Sequence, residues 1–342
     1  MSLMLEELLS AHKSLGKIIE TNLETIDKIS QETKNKNIAF ITTVARGTSN
    51  HAAAFFKYIC ELKSGIMVSR FNHSVTTIAG KNVDMSKSLV IGISQSGTSH
   101  DTLKVMQTAK ECGAITVAVT NYPSSPLAKL CDHHIYLNCG EEKSVAATKT
   151  FTLQIANLHL LACRLGGEEA PDFDKIANDI CAYIKNIAHI EALAQKTKNM
   201  NNMIVLSRGI TLPFADELSL KLLETCYKFS RSYSVAEFAH GPYALVEKGR
   251  TVLLLAPSGD YAQDFIKIAH RLKSDNAELI AFTDIKEIMA LSDYYLEMPS
   301  VDKNSEIYLY ITALQSYAAF TAQSLSLNPD KPRGLNKITN TL

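Results

Sequence analysis

Six consecutive residues, Ser94-Gln95-Ser96-Gly97-Thr98-Ser99, carry five hydroxyl or amide side chains around one glycine. They follow an apolar run, Ser88 to Ile93, and precede a helical pattern that reaches about Glu111. A helix N-terminus presents unpaired backbone N–H groups and a partial positive charge, so a loop in front of one can receive an anion. Gly97 lets the backbone come close to a ligand. The hydroxyls of Ser94, Ser96 and Ser99 and the Gln95 amide add neutral donors, which suit a phosphate that has to leave again. Helix N-caps favour Ser and Thr in any case, but that preference accounts for one such residue rather than five. The preceding strand-to-helix junction, Arg46-Gly47-Thr48-Ser49, places Thr48 and Ser49 to join from the neighbouring loop. Ligands of parallel α/β sheets bind outside the carboxyl ends of the strands, where both loops would lie.

A second set of reactive side chains sits on a helical pattern from Phe214 to about Phe229. Glu217, Lys221 and Glu224 fall at i, i+4 and i+7, a stripe about 60° wide at ~100° per residue. Leu218, Leu220, Leu222 and Leu223 take most other directions, so the helix is expected to be buried. Its charged stripe then needs either a polar cavity or internal pairing, because unpaired buried charge is expensive. Two readings stay open: an ion-pair row that satisfies itself, or a carboxylate poised by a lysine for proton transfer. His240 follows in Glu237-Phe-Ala-His-Gly-Pro242, where Gly-Pro marks a sharp turn that would hold the imidazole on a loop. The pair His133-His134 is expected just ahead of a strand and has no third ligand at metal-site spacing, so no metal is expected.

These residues need a scaffold, and the hydropathy pattern supplies one. An amphipathic stretch from about Leu5 to Gln31 predicts one N-terminal helix. Apolar runs near 37–44, 88–93 and 114–119 then alternate with helical patterns, which implies a parallel sheet with helices on both faces. The pattern recurs: Arg46-Gly47 returns as Arg208-Gly209 and Ser96-Gly97 as Ser258-Gly259, each 162 positions on. Ala118-Val-Thr-Asn121 returns as Ala281-Phe-Thr-Asp284, 163 positions on. One nearly constant offset at three βα junctions indicates a tandem duplication of a doubly wound, flavodoxin-like α/β unit. The expected organisation is an N-terminal helix over 1–35, a first domain over 36–166, a helical linker over 167–198, a second domain over 199–328 and a tail over 329–342. The duplicate loop, Ala256-Pro-Ser-Gly-Asp-Tyr261, has lost most donors and gained an acid, so phosphate is expected only in the first copy.

Composition narrows the class. Apolar residues make up 46% and charged residues 20%, a globular balance. Lys+Arg and Asp+Glu each number 35, so nothing in the charge points to nucleic acid or a membrane surface. No apolar run approaches the ~18 residues that span a bilayer. The seven cysteines are scattered and form no C-x-x-C, which fits reduced thiols in the cytoplasm.

Ser-Gln-Ser-Gly at 94–97, the Lys221-x-x-Glu224 helix, His240-Gly-Pro and Pro332-Arg-x-Leu-x-Lys337 together resemble one family. The chain is similar to the isomerase half of glucosamine-6-phosphate synthase, built from two sugar isomerase (SIS) domains, and the resemblance runs from Asn37 to Lys337. It implies a phosphosugar isomerase fold and site. Ser49, Ser94, Gln95, Ser96 and Ser99 match the family's phosphate ligands. Glu224 matches the base that carries a proton between C1 and C2, and His240 the ring-opening histidine supplied by a neighbouring subunit. Lys337 matches a tail lysine that forms a Schiff base with the open keto sugar, and Glu217 and Lys221 match residues lining the site. Val145, in Val145-Ala146-Ala147-Thr148-Lys149, matches a backbone contact. The chain departs from the pattern at Ala147 (serine in the synthase), Asn336 (alanine), Thr98-Ser99 (Glu-Thr) and Arg231 (glutamate).

About 35 residues precede the first strand and none is cysteine, so this chain is not expected to release ammonia from glutamine. The resemblance then implies an amino-sugar 6-phosphate deaminase and isomerase without cofactor, the Schiff-base lysine being the protein's own. Two alternatives stand beside it: a deglycase of fructosamine 6-phosphates, for which Ala147 would leave room, and a non-catalytic sugar-phosphate sensor. The expected partners are a small sugar phosphate and a second copy of the chain sharing His240, with no nucleic acid and no membrane.

Overall fold

Runs of β-branched and aliphatic residues, too short and too apolar for surface helices, make strands buried on both faces. The computed structural model describes residues 1–337. Two compact units emerge. Of the described residues, the first comprises Ser10–Lys143, Ala147–Ala177 and 336–337; the second comprises Met1–Leu9, Ser144–Ala146 and Asn178–Leu335.

The first unit holds β1 (Phe40–Ala45), β2 (Val68–Arg70), β3 (Ser88–Ile93), β4 (Ile115–Thr120) and β5 (His133–Tyr136). They form one parallel sheet in the order β2-β1-β3-β4-β5. Leu89, Ile91 and Val117 have no exposed surface, and β3 is buried along its whole length. The second unit holds β6 (Met203–Ser207), β7 (Ser230–Ser234), β8 (Thr251–Ala256), β9 (Glu278–Thr283) and β10 (Tyr294–Glu297). Its order is β10-β9-β8-β6-β7, again parallel, which is the first sheet's order repeated strand for strand. Both are doubly wound sheets of the flavodoxin-like order, and the switch in direction falls beside β1 and β6.

Four local expectations change. The single N-terminal helix is three: Leu3–Leu9, His12–Leu15 and Ile18–Asn35. The pieces have different partners. Asp330 caps the first, accepting from Leu3 N at 3.0 Å and Met4 N at 2.7 Å, whereas the third lies against the helix Lys149–Gly166 of the first unit. His133 and His134 open β5 rather than precede it. Glu32 at 2.7 Å and the Thr120 hydroxyl at 2.9 Å occupy their Nε2 atoms. The charged helix runs Leu212–Cys226 and stops short of Phe229, because Tyr227 turns left-handed at φ 54°. The linker pattern is two helices, Phe173–Ile184 and Ala188–Thr197.

In the first unit the helix Gly47–Ser64 packs on the helix Lys149–Gly166, and this pair positions the start of the first helix at the sheet's carboxyl edge. Gln154 Nε2 reaches across to donate to Ser49 Oγ at 3.0 Å. The contact is close at the far end, where a Cβ on Gly166 would stand 2.6 Å from the Lys63 carbonyl oxygen. Gly166→Ala must push the two helices apart, and overpacking of this kind costs about 1–3 kcal/mol. Urea denaturation of the variant should show that loss; an unchanged midpoint would refute the close-packing account.

Candidate active site

The loop after β3 is held by its neighbours before any ligand arrives. Ser94 N donates to Val119 O at 3.1 Å, Asn121 N to Gln95 O at 3.1 Å, and Leu127 N to Gly97 O at 3.1 Å. Gly97 sits at φ +65°, and a side chain there would overlap Ser125. Only glycine satisfies both constraints. Within the loop Gly97 N donates to Ser94 Oγ at 3.2 Å, and Ser96 Oγ and Thr98 Oγ1 share a hydrogen bond of 2.8 Å. Ser99 is the N-cap of the helix His100–Glu111, but its hydroxyl makes no capping bond and instead accepts from Thr102 Oγ1 at 3.2 Å. One junction along the sheet edge, Thr48 and Ser49 open the helix Gly47–Ser64.

A cavity of about 570 Å³ opens beside this loop. Gln95, Ser96, Thr98, Tyr122, Glu141, Glu142, Lys143 and Lys337 are among the residues that line it. The fold thus brings the expected tail lysine into the same cavity as the hydroxyl loop. Lys337 Nζ lies 2.7 Å from Glu142 Oε2. The motif reading missed Glu142. Its signal was present, since an acid just ahead of a Thr-Lys-Thr helix start complements the helix dipole. Val145, expected to offer a backbone contact, belongs to the second unit, where its N–H is donated to Asp330 O at 3.1 Å.

The duplicate junction in the second unit is closed from within. The same ion pair recurs: Arg46 to Asp101 at 2.6 Å in the first unit, Arg208 to Asp264 at 2.7 Å in the second. The surroundings differ. The space a side chain on Gly47 would occupy is open, whereas the same space over Gly209 is filled by the Tyr261 ring. Where the first loop has Asn121, the second has Asp284, whose carboxylate accepts from Ser258 N at 2.7 Å and Ser258 Oγ at 2.5 Å. The second copy carries its own anion.

Also in the second unit, Glu217 and Lys221 have no exposed surface, while the Glu224 side chain is 23% exposed. Lys221 Nζ is 3.4 Å from Glu217 Oε1 and 2.7 Å from Glu224 Oε2, and Gln315 Nε2 donates to Glu217 Oε1 at 3.1 Å. Burial pushes the Lys221 ammonium down, but the two carboxylates outweigh it and hold its pKa above the ordinary lysine value. The row therefore pairs internally, and Glu224 is its solvent-facing end. His240 is exposed at the end of the helix Val235–Ala239, ahead of Gly241 at φ +134° and Pro242. Among the described residues no group of three or more His, Cys, Asp or Glu is placed to hold a metal ion, and no helix is long and apolar enough to cross a membrane.

A family model for the SIS domain matches residues 33–164 and 197–327. The glutamine–fructose-6-phosphate aminotransferase (isomerizing) of Thermococcus kodakarensis is 32% identical over 345 residues, covering 98% of this chain and 57% of that protein. The chain thus spans little more than half the length of that curated relative. The C-terminal domain of glucosamine-fructose-6-phosphate aminotransferase from Francisella tularensis has the same fold, with TM-score 0.86 and 24% identity over 97% of this chain and 98% of that one. So does glucosamine-6-phosphate deaminase from Thermotoga maritima, with TM-score 0.82 and 22% identity over 99% of this chain and 100% of that one.

The buried row makes a quantitative prediction. Lys221→Met leaves Glu217 charged and without its ammonium, a change expected to cost about 3–5 kcal/mol. Glu217→Gln combined with Lys221→Met removes the stranded charge and should recover most of that loss in urea denaturation. Equal losses in the single and double variants would show that packing, not charge balance, dominates.

Proposed function

This chain belongs to the SIS domain family, and on that premise we propose that it is a phosphosugar isomerase acting on an amino-sugar 6-phosphate. The reaction proposed is glucosamine 6-phosphate plus water to fructose 6-phosphate plus ammonia. The observation that carries the reading is one cavity holding both a loop of neutral phosphate donors, Gln95 to Thr98, and a primary amine, Lys337. A volume of about 570 Å³ is within the ordinary range for small-molecule sites. The aminotransferase name of the 32% identical relative supports the sugar class.

In the proposed mechanism the phosphate rests on Ser94, Gln95, Ser96 and Ser99, with Thr48 and Ser49 at the next junction. His240 opens the ring, exposing the C1 aldehyde. Glu224 takes the proton from C2 and returns it at C1, which leaves an imine at C2. Lys221 orients Glu224 through the 2.7 Å contact to Oε2. The Lys337 amine displaces ammonia from the imine, and water then cleaves the lysine adduct to release fructose 6-phosphate.

We further read the functional form as a homodimer sharing His240. The imidazole is exposed, and the same unit exposes Phe229 (67%) and Leu245 (49%), large apolar surfaces that a second copy would cover. The cytoplasm suits the thiols: the seven cysteines are unpaired, and burial pushes those of Cys60 and Cys226 up to about 11, where they are inert. The deglycase reading keeps one point in its favour. Glu141 and Lys143 also line the cavity, a carboxylate and an ammonium that would complement an amino-acid substituent on the sugar.

Ammonia release from glucosamine 6-phosphate, with fructose 6-phosphate followed by a coupled assay, tests the proposal. Both products should form, and Glu224→Gln should lower turnover by at least about 10²-fold while the sugar phosphate still protects the fold from heat. Heat protection without ammonia would transfer the reading to fructosamine 6-phosphates.

A further inference from the structure

We propose that Glu142 is the positioning residue of Lys337, holding its ammonium toward the cavity, taking its proton for attack on a carbonyl and returning that proton to the departing water. The inference rests on the Schiff-base reading of Lys337 and deepens it.

Glu142 has a fully buried side chain. Its Oε1 accepts from Thr148 N and Thr150 N, both at 3.0 Å, and its Oε2 accepts from Thr150 Oγ1 at 2.8 Å and Lys337 Nζ at 2.7 Å. A buried carboxylate needs such a full set of donors. Three of the four belong to the start of the helix Lys149–Gly166, which by itself describes a cap. Yet a cap was already at hand, for Thr148 occupies the N-cap position, where a threonine hydroxyl ordinarily bonds the first turn. Here that hydroxyl makes no capping bond; it is buried without a partner. The longer acid caps from outside, with one oxygen on the backbone and the other bridging Thr150 and Lys337. A cap alone does not require that reach.

The other described ionisable groups of this cavity make contacts of their own. Glu141 and Lys143 line the same cavity and lie 3.5 Å from each other. The Lys149 Nζ is directed to Glu141 O at 2.5 Å. Burial pushes the Cys139 thiol up to about 12 and raises the Tyr122 phenol, so both stay neutral near pH 7.

The step balances without any further reactant. The Lys337 ammonium gives one proton to the Glu142 carboxylate, and the freed nitrogen lone pair forms a bond to the C2 carbonyl carbon of the open keto sugar. The carbonyl oxygen takes a second proton from that nitrogen and becomes the carbinolamine hydroxyl. The Glu142 acid then protonates the hydroxyl, the C2–O bond breaks, and water leaves a protonated imine. Glu142 ends as the carboxylate it began as.

Reductive trapping tests this directly. Wild type and Glu142→Gln are incubated with fructose 6-phosphate and cyanoborohydride from pH 6 to 9, and the Lys337 adduct is followed by mass spectrometry. The glutamine keeps an oxygen for Thr148 N and Thr150 N, so thermal unfolding and protection by fructose 6-phosphate should change little. Trapping near pH 7 should fall by about 10²-fold, the usual yield of a general acid–base group, and added formate should restore part of it. Glu142→Asp retains the acid on a shorter arm and should trap slowly with the same formate response, which reads the step even if the glutamine variant is unstable. Trapping within twofold of wild type in Glu142→Gln at every pH would overturn the role of Glu142 and leave the Schiff base standing. No adduct in wild type would overturn both.

Discussion

A carboxylate without solvent of its own has to be met by donors on every side, and Glu142 meets that demand with two segments far apart in sequence. It accepts from the start of the helix Lys149–Gly166, the helix that packs on Gly47–Ser64. That packing in turn directs Gln154 onto the Ser49 hydroxyl. The other end of the same carboxylate fixes Lys337 of the tail. One buried charge therefore ties the amine, the neighbouring junction and the helix frame into a single arrangement of the first unit.

The two units show what a duplicated scaffold can do with one charge more or less. Both keep the arginine–aspartate pair at the first junction, so that pair serves the fold rather than one ligand. The units part at a few side chains. Asn121 spends its amide on the Cys139 and Gly140 backbone and adds no charge to the first loop. Asp284 in the same place of the second unit is itself the anion that the loop receives, and Tyr261 closes the space over Gly209. Asp284 thus takes the Ser258 donors of the duplicate loop for itself.

The parallel, doubly wound sheets and the place of the hydroxyl loop at a strand-to-helix junction were legible in sequence because each follows from a local pattern. Apolar runs such as Ser88–Ile93 can only be strands buried on both faces, and five polar side chains around Gly97 leave few other uses for the turn. What was not legible depends on partners distant in sequence. The break after Leu9 follows from Asp330, more than three hundred residues on. His133 and His134 enter β5 because Glu32 and Thr120 take their ring nitrogens. Glu142 reads as one more surface acid until the helix start and the tail converge on it.

The Glu217–Lys221–Glu224 row shows why the two readings of a charged helical stripe need not exclude each other. Two carboxylates share one ammonium, so the row carries a net negative charge that a buried site tolerates poorly. Glu217 is held in place by the shared Lys221 ammonium and by a hydrogen bond from the Gln315 amide, both buried with it. The excess is left to Glu224, the one member with exposed surface. Self-pairing inside the helix thus delivers a fixed carboxylate at the surface end of the row, its Oε2 set by Lys221. A structural ion pair of this form is the support that a proton-transferring carboxylate requires, because a base held at a defined place loses no freedom when it reacts.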